Sequence, residues 1–433
     1  MAIPDDPRVI VEHVARESYG RLIAFLSART GDVAAAEDAL GDAFVTALRK
    51  WPDEGVPAKP EAWLLTTARR RLIDRLRHDR VRFDAAPTLR ALMSEAESIS
   101  AAESTDDAFP DERLKLLFVC AHPDIDRSMH TPLMLQVVLG LDATRIASAF
   151  LTSPATMGQR LSRAKARIRD AGIAFDIPDR GELPVRLDAV LDAIYAAYGS
   201  GWDDVCGSDP RRAGLAQEAV WLARTLLELL PDEPETRGLL ALMLYCEARR
   251  PARRTPEGNY VPMSEQDVSL WSSAMLEEAE QELTTAAAQQ RPGRFQLEAA
   301  LQSAHVEGAR RGTTDWSGIA VLYEGLVRES PTAGALVGRA AAIAEAESPA
   351  AGIRALDSID ATATKSYQPY WAARAHLLHR AGCVAEAVQA FDRAIGLTED
   401  GATRQFLLRR RAEAFAVREG AGASGHRDDG QRL

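Results

Sequence analysis

Apolar residues recur at spacings of three and four along nearly the whole chain, and alternating β-branched runs are almost absent. That period places an apolar stripe on one side of a helix and leaves little from which to build a sheet, so the chain is expected to be all-α. Prolines, glycines and shifts in charge divide the 433 residues into segments. These are a helical block over 8–83, an acidic linker over 84–111, a second helical block over 112–177, a long helical extension over 178–420 and a flexible tail over 421–433.

In the first block a helix covers Val11 to Arg29 and stops near Gly31. Asp32 can cap the next helix, which runs to about Trp51. Pro52, Pro57 and Pro60 mark a loop, and a third helix starts near Glu61 and ends in RRRLIDRLRHDRVR. On that helix Leu65, Ala68, Leu72 and Leu76 form an apolar stripe, while Arg69, Arg70, Arg71, Arg75, Arg77, Arg80 and Arg82 stand against Asp74 and Asp79. Such a surface can neutralise phosphates. The middle helix, AAAEDALGDAFVTALRKWP, carries an acidic ridge of Glu37, Asp38 and Asp42, with Ala39, Phe44, Val45 and Leu48 as packing positions. A partly acidic amphipathic helix suits docking on a basic partner helix.

The linker from Asp84 to Glu112 holds eight acids and a single base, Arg90. Beyond it lies the strongest local signal, GLDATRIASAFLTSPATMGQRLSRAKARIRDAG. A short helix over about Ala143 to Phe150 leads to a turn, and Ser153 and Pro154 open the next helix as N-cap and first-turn residue. Met157, Leu161, Ala164 and Ile168 form its buried stripe. This is the sequence form of a helix-turn-helix, whose second helix enters the major groove. Thr156, Gln159, Arg160 and Arg163 are the candidates for reading bases, and Lys165 and Arg167 for meeting phosphates.

In the extension, breaks fall at Pro231–Pro234, Pro251–Pro262, Arg291–Gly293 and Ser348–Pro349. The segment from Arg339 aligns with that from Arg374 at an offset of 35 residues, pairing Ala346 with Ala381 and Leu356 with Phe391. This is close to the ~34-residue tetratricopeptide period, and stacked helical hairpins would share a core.

Several classes of function find no support in the composition. The net charge of −11 argues against a uniformly basic nucleic-acid binder, but local patches decide binding. Cys120, Cys206, Cys246 and Cys383 form no CxxC pair, and Cys120 with His122 lacks a second pair of metal ligands. Neither HExxH nor a phosphate-cradling GxxxxGK[ST] occurs, so no enzyme activity, metal or cofactor is expected. No apolar run approaches the ~18 residues of a membrane helix, and the polar, acidic MAIPDDPRVI is not a signal peptide. A cytoplasmic protein is expected.

Together, EDALGDAFVTALRKWP and PEAWLLTTARRRLIDRLR resemble region 2 of the extracytoplasmic-function sigma factors, in the sigma-70 family. DERLKLLFVCAHPDID with LDATRIASAFLTSPATMGQRLSRAKARIRDAGI resembles their region 4. LLPDEPETRGLLALMLYCEARRPAR, VPMSEQDVSLW and the repeat from Arg339 resemble the tetratricopeptide-like extension of one subgroup. The resemblance implies that Glu37, Asp38, Asp42 and Phe44 meet core RNA polymerase at its β′ clamp helices, with a further contact to the β flap. It implies that the loop from Pro52 to Pro60 and the arginine helix hold the melted −10 element, that the linker threads the polymerase channels, and that the helix from Ser153 reads the −35 element. It also implies that the extension regulates activity or binds a peptide or protein partner, and that cutting after about Pro178 abolishes transcription. Gly41 in the acidic helix and Asp124 and Asp126 after CAHP depart from the family pattern. The competing reading is a tetratricopeptide-type scaffold with degenerate sigma-like domains.

Overall fold

A computed structural model describes residues 7–79, 111–150, 152–179, 181–202, 215–398 and 400–424. Nearly all of the acidic linker, Arg80, Arg82, Cys206 and the last nine residues of the tail lie outside the described residues. The regular elements are helices, and extended pairing among the described residues is confined to a bridge between Arg254 and Tyr260. The chain is therefore all-α. It forms two compact units, Met1–Leu229 and Leu230–Leu433.

The first unit begins with α1 (Pro7–Thr30), α2 (Val33–Glu54) and α3 (Pro60–Asp79). Gly31, at φ 66°, turns the chain between α1 and α2, and the Asp32 carboxylate accepts from the Ala35 amide at 3.0 Å to cap α2. Ala36, Ala39, Ala43 and Ala47 give α2 a flat buried side, and Trp51 closes it 1% exposed. Leu22, Ile23, Phe25 and Leu26 of α1 and Leu64, Leu65, Ala68 and Leu72 of α3 are also buried. The Ser18 hydroxyl donates to Glu61, tying α1 to α3. α2 continues three residues past the expected end at Trp51, through Pro52. A proline there forgoes its own backbone hydrogen bond and crowds the carbonyl four residues back, and the helix ends within one turn of it. Gly55, at φ 85°, then returns its N–H to the Trp51 carbonyl at 3.0 Å.

Four shorter helices follow: α4 (Arg113–Cys120), α5 (Arg127–Val137), α6 (Ala143–Ala149) and α7 (Pro154–Asp170). Asp126 caps α5 by accepting from the Ser128 amide at 2.8 Å. Ser153 caps α7 by accepting from the Thr156 amide at 3.1 Å. Met157, Leu161, Ala164 and Ile168 are the buried stripe of α7, as their spacing predicts. Two further helices, α8 (Leu183–Trp202) and α9 (Leu215–Leu229), complete the unit. Arg186 donates to the Phe118 carbonyl at 2.8 Å, Thr131 to the Ala193 carbonyl at 3.0 Å, and the Arg113 guanidinium lies 5.4 Å over the Trp221 ring. Helices read from sequence as the start of the extension thus pack against the second block.

The second unit holds α10 (Pro234–Ala248), three short 3-10 turns, α11 (Ser273–Ala287), α12 (Arg294–Arg311), α13 (Trp316–Glu329), α14 (Ala333–Ala346), α15 (Pro349–Asp357), α16 (Ala361–Thr364), α17 (Gln368–Arg380), α18 (Val384–Leu397) and α19 (Gly401–Ser424). The breaks expected from proline and glycine fall between α-helices or at their first residue, as at Pro234 and Pro349. Gly293 has no side chain to cap α12, and the Glu235 carboxylate of α10 takes that role, accepting from the Phe295 and Gln296 amides at 2.9 and 3.1 Å. The 35-residue repeat is a pair of hairpins, α14 with α15 and α17 with α18, and Leu356 and Phe391 are buried in both. A Cβ on Gly352 would lie 2.4 Å from that of Ala344, so the first hairpin closes tightly where the second has Ala387. Val337, Ala340, Leu356, Tyr370 and Leu377 form one cluster between the hairpins. α19 runs to Ser424, so the chain is helical into the segment expected as a flexible tail.

Candidate nucleic-acid interface

Burial of its apolar stripe leaves α7 with a defined outer face. Gln159, Arg160, Arg163 and Arg167 are exposed on it. Thr156 is half-buried, and its hydroxyl shares a 2.8 Å hydrogen bond with that of Ser153, the residue that caps α7. Lys165 lies apart from the exposed cations: its side chain is 12% exposed and forms an ion pair with Glu37 of α2. Arg167 reaches Asp124 at 3.5 Å across an exposed surface, where an ion pair contributes at most ~1 kcal/mol.

Asp124 and Asp126 lie in the loop after α4, opposite the arginines of α7. A cleft of about 360 Å³ has Arg160, Arg163 and Arg167 on one wall and Asp124 and Asp126 on the other. Hydrogen bonds from Ser128 hold the Asp126 carboxyl below the usual carboxylate range, so it stays ionised beside those guanidinium groups. The carbonyl of buried Ile125 meets the His130 ring at 3.1 Å, and burial depresses the His130 pKa. The acidic loop is therefore anchored from beneath.

The arginines of α3 divide in the same way. Arg70 and Arg71 are exposed. Arg69 is 3% exposed, with its guanidinium 5.6 Å over the Phe25 ring, and so does not stand with the exposed cations. Arg75 reaches Asp38 of α2 at 3.0 Å. The Arg77 side chain lies outside the described residues.

On α2 the candidate docking residues separate as well. Asp38 and Asp42 are exposed, Phe44 is half-buried, and the Glu37 side chain is 13% exposed. Val45 and Leu48, expected as packing positions, are 47% and 44% exposed. The packing stripe is instead the alanine row that ends at Trp51, and large residues are not needed where helices approach closely. Gly41 lies on the outer face, and a Cβ there would meet nothing within 4 Å. Asp38, Gly41, Asp42, Val45 and Leu48 therefore share one solvent-facing strip, acidic at one end and apolar at the other.

Among the described residues no group of three or more His, Cys, Asp or Glu comes together that could hold a metal ion. None of the described helices is long and apolar enough to cross a membrane.

Comparison with known proteins agrees with the first block. Residues 14–82 match sigma-70 region 2, and residues 186–287 match a family of unknown function, DUF6596. An uncharacterized protein of Rhizobium meliloti (strain 1021) is 37% identical over 374 residues, covering 86% of this chain and 88% of that protein. A probable RNA polymerase sigma factor of Xanthomonas campestris pv. campestris is 32% identical over 180 residues, covering 39% of this chain and 44% of that protein. No solved structure matches significantly. The chain belongs to the family of the Rhizobium meliloti protein, and its region 2 makes it a sigma-70-type, sigma-factor-like member.

Proposed function

We propose that the chain binds core RNA polymerase and directs it to specific promoters, as an extracytoplasmic-function sigma factor of the cytoplasm. α2 docks on the β′ clamp helices through Asp38, Asp42, Val45 and Leu48. α3 and the loop before it hold the melted −10 element, with Arg70 and Arg71 on its phosphates. α7 enters the −35 major groove, turning Gln159, Arg160 and Arg163 to base edges and Arg167 to phosphate. The second block also meets the β flap. The chemistry of RNA synthesis belongs to polymerase. The tetratricopeptide-like extension regulates activity or binds a protein partner.

The observation that carries this reading is the opposite character of two exposed helix faces in one chain. One pairs acids with uncovered valine and leucine on α2, and the other gathers Gln159 and three arginines on α7. The first suits a basic protein helix and the second a polyanion.

The test is reconstitution with core RNA polymerase on genomic DNA, followed by mapping of transcript 5′ ends. Defined start points absent with polymerase alone are expected, and failure to join polymerase or to set start points overturns the reading. A chain ending at Leu229 retains every contact within the first unit and is expected to lose promoter-directed transcription. Stronger transcription from it would make the extension an inhibitor.

A further inference from the structure

The second unit is tied from its first hairpin to its last described helix. In a stack of helical hairpins each hairpin contacts only its neighbours. Here the loop between α10 and α11, residues 249–272, reaches past the intervening hairpins to the start of α19. Its neck is closed by the Ser272 amide, which donates to the Ala248 carbonyl at 3.0 Å. At its far end the Arg254 guanidinium donates to both carboxylate oxygens of Asp400 at 3.2 Å. The Tyr260 and Phe406 rings pack edge to face, with centroids 5.3 Å apart. Asp400 in turn caps α19, accepting from the Thr403 amide at 2.7 Å. Leu407 and Ala414 bury the inner side of α19 in a cluster with Leu378, Phe391 and Ala394. The rotation of α19 about its own axis is thereby fixed.

That rotation turns a stripe outward. Arg404, Leu408, Ala412 and Phe415 are exposed, Leu408 by 39% and Phe415 by 44%. Spacings of four, four and three put them on one side of the helix, and the next position on that stripe, four residues on, is Glu419. The outermost helix of a stacked array needs a polar outer side to stay in water, yet this one carries leucine and phenylalanine there. A stripe with a cation at one end, an anion at the other and an apolar centre is complementary to its own reverse. We propose that a second copy of the chain covers it, two chains pairing through antiparallel α19 helices. About a two-fold axis between positions 411 and 412, Leu408 of one copy faces Phe415 of the other, and position 404 faces position 419. Such a contact uses the same patch on both copies and closes as a dimer instead of growing into a filament. A parallel pairing would set arginine on arginine and glutamate on glutamate, which like charges oppose. The inference rests on the second unit alone and does not depend on the promoter reading.

The test is sedimentation equilibrium of the full chain across the micromolar range. The unaltered chain is expected at the mass of two copies. Leu408→Asp and Phe415→Asp each place a carboxylate in the apolar centre, at positions the fold of one copy leaves exposed. Each is expected to weaken the dimer at least about tenfold, with helix content by circular dichroism unchanged. Arg404→Glu and Glu419→Arg are each expected to weaken it less, and the two changes in one chain to restore it, because the opposite charges meet again across the axis. Arg404 also donates to the Thr398 carbonyl within its own chain, a contact that the second change cannot replace, so restoration reports the pairing between copies. An unaltered chain that sediments as a monomer throughout overturns the proposal and leaves the stripe to a different protein. A dimer as strong in both aspartate variants, or a double charge variant no better than the single ones, overturns it as well.

Discussion

The arginine faces of α3 and α7 look alike in sequence and differ in the fold. On α3, Arg69 is buried over Phe25, while Arg70, Arg71 and Arg75 are outward, the last within 3.0 Å of Asp38. On α7, Lys165 is withdrawn into the pair with Glu37, while Arg160, Arg163 and Arg167 stay outward beside an acidic loop. The difference teaches that the number of cations on a helix says little about how many can meet a phosphate. Packing withdraws some, and carboxylates on neighbouring helices engage others. In both helices a carboxylate of the acidic ridge of α2 holds one of the cations, so α2 and the two basic helices share charges within one unit.

The largest lever on this comparison is the packing beneath the faces. Leu161→Ala on the buried stripe of α7 should cost about 2–5 kcal/mol, lowering the unfolding midpoint of the chain. An unchanged midpoint would mean that the outer face of α7 does not depend on that stripe. Next, Arg163→Ala should leave the midpoint unchanged and weaken binding to a −35 duplex by about 1–3 kcal/mol, with relaxed preference at one base pair. Equal affinity would assign Arg163 to the solvated remainder. A smaller effect separates the arginines of α3. Arg70→Ala should lower the slope of log affinity against log salt by about 1, whereas Arg69→Ala should leave the slope alone and reduce stability. Reversed outcomes would break the division drawn from burial.

The smallest effect is on the pH dependence of stability. The folded chain holds the Glu37 proton more tightly than the unfolded chain, because burial raises that carboxyl. Its contribution is fully present below the ordinary glutamate range and is lost as pH rises through the raised folded value. Denaturant melts of the full chain and of Glu37→Gln, compared from that range upward, should therefore differ in slope, with the unaltered chain losing more stability. Parallel curves would show Glu37 to be solvated, and the pair with Lys165 to be a surface contact.

Much of the fold was legible in the residues. The stripe of α7, the Ser153 and Asp32 caps and the breaks of the extension all follow from interactions within about one helical turn, or from proline and glycine. The 35-residue repeat was legible because each hairpin must bury the same side against its neighbour. Three other features were not. Val45 and Leu48 face solvent because alanines already supply the packing side of α2. α8 and α9 join the first unit through contacts such as Arg186 with the Phe118 carbonyl, which no local pattern announces. Glu235 caps a helix 60 residues away, where Gly293 has no side chain to do so.

The sequence by itself determined that the chain is helical, that Asp32 and Ser153 open helices, and which side of α7 is buried, because helix period and capping are local. It also determined that cations gather on α3 and α7 and acids on α2. Only the tertiary structure decided which of those charges face water. Arg69, Glu37 and Lys165 are withdrawn by groups that approach from other helices, and a charge keeps its solvent or loses it according to what the rest of the chain packs against it.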